Sequence, residues 1–160
     1  MDLHSLTLGR KEDGIRYYRP LPEVDKWIAL CDIMQLNQNE FNLINERQER
    51  ESDYFRRHCL DKDKIINLTK AEQGSVTYFK ENETLQSFKA KPPVSVRVKD
   101  PTGCGDAFAA GFLNHYFKTS DIREAAKKGN IIASIFGHFK GVPEPEKVKS
   151  FYRSFLAKEL

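Results

Sequence analysis

The sequence predicts an α/β fold, and three observations carry that prediction. Short apolar runs of strand character alternate with helical periodicities through the first part of the chain. A pair of strand-like runs then brackets a short polar turn. The last third reads as helices in series, led by a glycine-rich turn at Gly103–Gly105 that opens into the apolar run from Ala107 to Phe117.

Taken in order, residues 1–20 read as an extended start and a polar loop broken by Gly9, Gly14 and Pro20. Leu21 to Cys31 has helical character, with Pro22 suited to a first turn. Asp32 to Asn37 is a short strand ending in a polar cluster. A helix runs from Glu40 to about Glu46, with Asn39 as its N-cap and Phe41, Leu43 and Ile44 turned inward. Ser52 to Leu60 is another short helix, and Lys64 to Thr69 a strand. Gly74–Phe79 and Leu85–Phe88 pair as a hairpin across Lys80 to Glu83, and Val94 to Val98 alternates as one more strand. The helix after Gly103 is followed by a second from Asp121 to Phe136, N-capped by Ser120. A breaker-rich connection, Gly137 to Pro145, leads to a closing helix from Lys147 to Lys158. The sheet of the first part is expected to be largely parallel, and no internal repeat is evident.

Composition narrows the class. The 160 residues suffice for one domain, 1–160, with a real core. With 39% hydrophobic and 31% charged residues, disorder is not expected. No apolar stretch approaches the roughly 20 residues a spanning helix needs, and Met-Asp-Leu-His-Ser lacks a signal-peptide layout. Cys31, Cys59 and Cys104 are scattered without C-x-x-C spacing, which suggests free thiols in a reducing compartment and a cytoplasmic protein. A net charge of +3 is no nucleic-acid footprint. The histidines His4, His58, His115 and His138 are dispersed without metal-ligand spacing. Basic residues between Arg47 and Arg57 alternate with glutamates as on a solvated helix face. There is no G-x-x-x-x-G-K-[ST] string and no catalytic-loop H-R-D, which excludes Walker-type and protein-kinase sites.

The chemistry concentrates in Asp100-Pro101-Thr102-Gly103-Cys104-Gly105-Asp106-Ala107-Phe108. Amides of Gly103, Cys104 and Gly105 would lie at a helix's first turn, where donors lack intrahelical partners and the macrodipole is positive. Such a turn binds anions, phosphate above all. A carboxylate at the rim, Asp106, repels phosphate unless it has another task, such as taking a proton from an attacking hydroxyl. The plainer reading makes Asp106 a helix-start residue that complements the dipole. Asn37-Gln38-Asn39-Glu40 closes a strand where ligands gather in open α/β sheets. Its oxygens suit Mg²⁺, or else cap the next helix. Thr69 to Gly74 forms a turn at another strand's carboxyl end. Asn130, beside Gly129 within a helical segment, is a poor helix residue that propensity does not explain.

The string D-x-T-G-x-G-D-x-F followed by A-G-F resembles the second signature of the ribokinase-like (PfkB) family of carbohydrate and nucleoside kinases. The resemblance implies that Asp106 is the catalytic base and that the amides of Gly103, Cys104 and Gly105 form the anion hole for the transferred phosphoryl group. Pro101 stands where Thr or Ser is common and Cys104 where Ala is common; the Cys104 side chain is expected to matter little. Asn37-to-Glu40 resembles the family's N-x-x-E motif near Mg²⁺ and the phosphates. Thr69 and Gly74 fall in its T-x-G-x-x-G, although Ala71 replaces the first glycine. Thr102, Thr69, Gly74 and Asn130 are thereby implied beside the nucleotide, Asn130 near the adenine.

The implied fold is a ribokinase-like αβα sandwich of which only the C-terminal, nucleotide-binding portion is present, with N-terminal strands and lid absent. Met1 to His4 would then end the strand leading out of that N-terminal part. The implied activity is ATP-dependent phosphoryl transfer to a hydroxyl of a sugar or nucleoside, with ATP and Mg²⁺, and a monovalent cation as a further candidate. An exposed sheet edge would favour self-association or a complementing N-terminal chain. The alternative is a nucleotide-binding or regulatory module without catalysis that needs a partner chain.

Overall fold

A computed structural model describes residues 8–60 and 63–159. The expected strand end at Met1 to His4 lies outside the described residues. The strands are β1 (Leu8–Arg10), β2 (Arg16–Tyr18), β3 (Ile33–Asn37), β4 (Ile65–Thr69), β5 (Ser75–Glu81) and β6 (Thr84–Ala90). The helices are α1 (Val24–Ala29), α2 (Gln38–Ile44), α3 (Glu51–Leu60), α4 (Cys104–Thr119), α5 (Ile122–Gly137) and α6 (Pro145–Glu159). The chain divides into two compact units. One comprises the residues up to Ala71 together with Ser75–Lys89, the other Glu72–Gly74 and the residues from Ala90 onward.

In the first unit a four-stranded sheet has the order β3-β4-β5-β6. Among the described residues β3 and β4 are parallel, in a register that sets Asn37 opposite Thr69 at their carboxyl ends, whereas β4 and β5 run antiparallel, so the sheet is not the largely parallel one expected. Four of the five residues of β4 are buried, as befits an inner strand, while β3 alternates. Asn67 is buried within β4 because the Thr77 hydroxyl across the ladder donates to its Oδ1 at 2.7 Å. Met34, Leu36, Ile66 and Leu68 pack with Phe41 and Ile44 of α2 and with Tyr54, Phe55 and Cys59 of α3. The thiol of Cys59 is pushed up to about 12 by burial. β5 and β6 are joined by Asn82 and Glu83, both at positive φ (50° and 58°), the pair that a two-residue hairpin turn requires.

The expectation that N-terminal strands and lid are absent is corrected. An antiparallel pair, β1 with β2, occupies the segment read as an extended start and polar loop. Its turn is closed by Lys11 N–H to Ile15 O and Gly14 N–H to Lys11 O, both at 2.9 Å. With three residues per strand, the pair is set by its turn and leaves too little alternation to read.

In the second unit α4 and α5 lie against each other, and α6 closes over Val96, Ile131 and Ile135 with Phe151, Phe155 and Leu156. Phe108, Phe112 and Tyr116 stack along α4 at intervals of four residues. The Phe108 ring lies 2.8 Å from where Gly129 would carry a Cβ, which explains a glycine inside α5. Val94 to Val98 is not a strand. Pro92-Pro93 leads into a turn closed by Val96 N–H to Pro93 O, and the N–H groups of Lys99 and Asp100 go to Gly137 O at the end of α5. Asp121, not Ser120, caps α5, its side chain accepting from Glu124 N–H at 2.9 Å; Ser120 ends α4 in a left-handed conformation (φ 58°). Among the described residues no helix is long and apolar enough to cross a membrane.

Candidate phosphate-binding turn and strand edge

In the second unit the backbone at Gly103 is left-handed, φ +77°, and this residue caps the 16-residue α4 without a side-chain bond. A Cβ at Gly103 would stand 2.9 Å from the Phe136 ring, so the position accepts bare backbone only. Side-chain-free backbone at the positive end of a long helix is the arrangement that suits an anion. Cys104 N–H donates to Pro101 O at 3.1 Å, and Ala107 N–H to Gly103 O begins the helix. Of the three amides expected for the anion hole, that of Cys104 thus holds the turn itself closed. Asp106, the third residue of α4, is exposed. Among the described residues its carboxylate takes part in no ion pair.

The side chain of Cys104 does more than expected. Its Sγ–H points at Ala133 O, 3.4 Å away, and Sγ sits 2.7 Å from where Gly137 would carry a Cβ. The thiol is therefore wedged between the turn and the last turns of α5, and burial together with nearby Asp100 raises its pKa. Asp100, to which the sequence reading gave no role, binds two amides. Oδ1 accepts from Thr102 N–H and Oδ2 from Gly141 N–H, each at 3.0 Å. Those bonds, Gly141 foremost, hold its carboxyl below the usual aspartate range. Only knowledge of the Gly141 contact, 41 residues on, could have found this.

Gly74 belongs to the same unit, at the entry to β5 with φ +87°. Asn130 is buried; its Nδ2 donates to Ala90 O at 3.2 Å and to Ala126 O at 3.0 Å. Neither a solvent-facing asparagine nor an open one is found there.

In the first unit the parallel register brings Asn37 beside Thr69, and the Thr69 hydroxyl reaches back to Leu36 O at 3.4 Å. β3 runs into α2 without a loop, with Asn37 rather than Asn39 as the N-cap. Asn37 Oδ1 accepts from Glu40 N–H at 3.0 Å, and Glu40 Oε2 accepts from Asn37 N–H at 2.8 Å. This is a complete capping box with Glu40 only 1% exposed. Ala71, in place of the family's first glycine, holds the left-handed conformation (φ 48°) that glycine adopts without strain.

Family membership follows from comparison with known proteins. The sequence model for the pfkB family carbohydrate kinases matches residues 10–143. The chain belongs to the pfkB family. A nucleoside kinase of Methanocaldococcus jannaschii is 30% identical over 127 residues, which is 76% of this chain and 39% of that protein. The crystal structure of that kinase, described as an archaeal ribokinase-family member, matches with a TM-score of 0.62 at 28% identity, over 82% of this chain and 42% of the other. An uncharacterized sugar kinase of Archaeoglobus fulgidus is 47% identical over 55 residues, 32% of this chain and 22% of its own. A pyrophosphate-dependent kinase of the ribokinase family shares the fold, with a TM-score of 0.74 at 20% identity over 92% of this chain and 50% of its own. The chain thus spans half or less of the length of these pfkB relatives. The expectation of a likeness confined to a C-terminal nucleotide-binding portion is corrected: family and structural matches take in most of this chain, starting at residue 10 and so including β2.

ATP and Mg²⁺ use is typical of pfkB kinases. The Gly103 turn fits a phosphate, because a side chain would fill it. The Asn37–Glu40 pair does not fit direct ligation of a cation, since Asn37 Oδ1 and Glu40 Oε2 are both spent on the capping box. Among the described residues no cluster of three His, Cys, Asp or Glu side chains could hold a metal.

Proposed function

We propose that this chain serves ATP-dependent phosphoryl transfer to a hydroxyl of a sugar or nucleoside. The observation that carries the reading is a turn at the start of α4 that admits no side chain at Gly103, with an exposed carboxylate, Asp106, on that helix's first turn. Asp106 accepts the proton of the acceptor hydroxyl as its oxygen attacks the γ-phosphorus in line. The new O–P bond forms while the bond to the ADP oxygen breaks. The backbone amides of the Gly103, Cys104 and Gly105 turn are assigned to the charge that develops on the phosphoryl oxygens; one such donor is worth about 3–4 kcal/mol. Positioning and charge stabilisation supply most of the catalysis in reactions of this kind. Thr102 and Thr69 are the polar side chains assigned to the donor phosphates. Gly74 and Asn130 contribute by shaping backbone, because the Asn130 amide is already engaged. Magnesium, when bound, would neutralise phosphate charge, and Asn37 and Glu40 are the residues assigned to hold it, through water.

The relatives' names favour both acceptor classes: nucleoside for the Methanocaldococcus kinase, sugar for the Archaeoglobus protein. Calorimetry with ATP, followed by ADP release measured with a panel of nucleosides and sugars, tests the reading. ATP binding and acceptor-dependent ADP release are expected. Binding without release from any acceptor would leave a nucleotide-binding module, and no binding at millimolar ATP would remove the reading.

A further inference from the structure

We infer that Lys70 is a positioning residue of the turn that follows Thr69: its ammonium, held by Glu51, keeps the chain in the left-handed bend at Ala71 and so fixes how that turn meets the donor phosphates. The inference rests on the reading of Thr69 as a donor-side residue. Lys70 is the first residue beyond β4, at the carboxyl end where ligands gather in open α/β sheets. Its side chain reaches α3. Nζ donates to both oxygens of Glu51, at 2.6 Å and 2.8 Å, and the Tyr78 hydroxyl donates to Oε2 at 3.0 Å. One carboxylate thus joins three elements: the end of β4, the first residue of α3, and the middle of β5.

This node differs from the ion pairs on open helix faces. The Lys70 and Glu51 side chains are 21% and 26% exposed, whereas Lys26–Glu23 and Lys149–Glu146 leave more than half of each side chain in water. Tyr78 is buried with its ring 4.7 Å from that of Phe55 on α3, so core packing fixes where its hydroxyl sits. Burial first, and then the Glu51 charge, raise the Tyr78 pKa, which keeps the hydroxyl a donor. The chain needs an anchor at this point. Ala71 has φ 48°, where its Cβ crowds the backbone and glycine would sit without strain. The Thr69 hydroxyl holds one side of the bend to Leu36 O at 3.4 Å, and Lys70 holds the residue next to Ala71. The pair still reaches solvent and so adds little to global stability. What it sets is local: the direction of the backbone after Thr69.

The full chain is compared with Lys70→Met, Glu51→Gln and a double variant, Lys70→Met with Ala71→Gly, by calorimetry with ATP, by NMR backbone shifts at Ala71, and by melting temperature. Lys70→Met should weaken ATP binding about tenfold and Glu51→Gln about threefold, since glutamine keeps one acceptor oxygen but not the charge. In both, the Ala71 shifts should leave their left-handed values while the melting temperature stays nearly unchanged. In the double variant glycine takes the bend unaided, so most of the lost affinity should return. Unmoved Ala71 shifts in both single variants overturn the inference. So does weaker binding in Lys70→Met beside unchanged or tighter binding in Glu51→Gln, because a lysine freed from its carboxylate would then be meeting the phosphates itself. Failure of Ala71→Gly to restore binding overturns it as well. If the unsubstituted chain binds no ATP, the donor-side reading falls, and the Ala71 shifts of Lys70→Met alone decide whether the clamp exists.

Discussion

Two helices in this molecule begin with the same plan and put it to opposite use. In α2 and in α4 the third helical residue is acidic, Glu40 in one and Asp106 in the other. The cap of α2 is Asn37, whose side chain binds Glu40 N–H while the Glu40 carboxylate returns to Asn37 N–H. Both groups are satisfied, and Glu40 is buried. The cap of α4 is Gly103, which has no side chain to offer, and the shorter Asp106 remains exposed. An acid three residues into a helix is therefore not by itself a functional sign. Its meaning depends on whether the cap binds it. Where the cap is a left-handed glycine, the helix dipole and the carboxylate both stay available to a ligand.

The largest effect that separates the two acids is kinetic. Asp106→Asn keeps the shape and removes the base, so kcat should fall about 10²–10⁴-fold, the usual share of a general base. ATP affinity should hold or rise, because a negative charge beside the donor phosphate is gone. The melting temperature should not move. A rate assay with the acceptor found in the panel, alongside calorimetry, reads all three. Near-normal turnover would return Asp106 to the role of a dipole-complementing helix start.

Glu40 should show the reverse pattern. Glu40→Ala leaves the Asn37 N–H without its partner and removes a buried side chain, at a cost of about 2–3 kcal/mol. Glu40→Gln retains an acceptor oxygen and should lose only about 1 kcal/mol. Urea unfolding of both variants checks the order. Equal losses would show that the capping bond is not what makes Glu40 worth burying.

The same contrast explains how far the sequence could be read. Helices α2 to α6 were legible because their apolar periodicity and polar or glycine starts agree, even where the cap shifts by a residue or two, from Ser120 to Asp121 and from Asn39 to Asn37. The glycine turn was legible as a helix start, since Gly103 before an apolar run caps α4. Val94 to Val98 misled because alternation was present while Pro92-Pro93 and the pull of Gly137 O on Lys99 and Asp100 decided the backbone. The side chains of Cys104, Asn130 and Asp100 were illegible for one shared reason. Each is defined by a partner 29 to 41 residues away, at Ala133, Ala90 and Gly141 respectively. Long-range contacts of this kind leave no local pattern.

The smallest expected effect concerns pH and sets Asp100 apart from Asp106 within one turn. The amides of Gly141 and Thr102, together with the Thr102 hydroxyl, hold the Asp100 carboxylate below the ordinary aspartate range, with the Gly141 bond the largest cause. A carboxyl depressed in the folded state contributes stability above its unfolded pKa and loses it as pH falls through the folded value. The turn should therefore keep its bonds to Thr102 and Gly141 throughout the neutral range and down past the point where free aspartates protonate. NMR titration of the full chain should show the amide protons of Thr102 and Gly141 moving together, with a midpoint below that of a model aspartate. Asp100→Asn should abolish that shared step, and Asp106→Asn should leave it in place. If the two amides titrate apart, or at the ordinary aspartate midpoint, the carboxylate does not bridge them, and the turn owes its shape to Gly137 O and the Cys104 wedge alone.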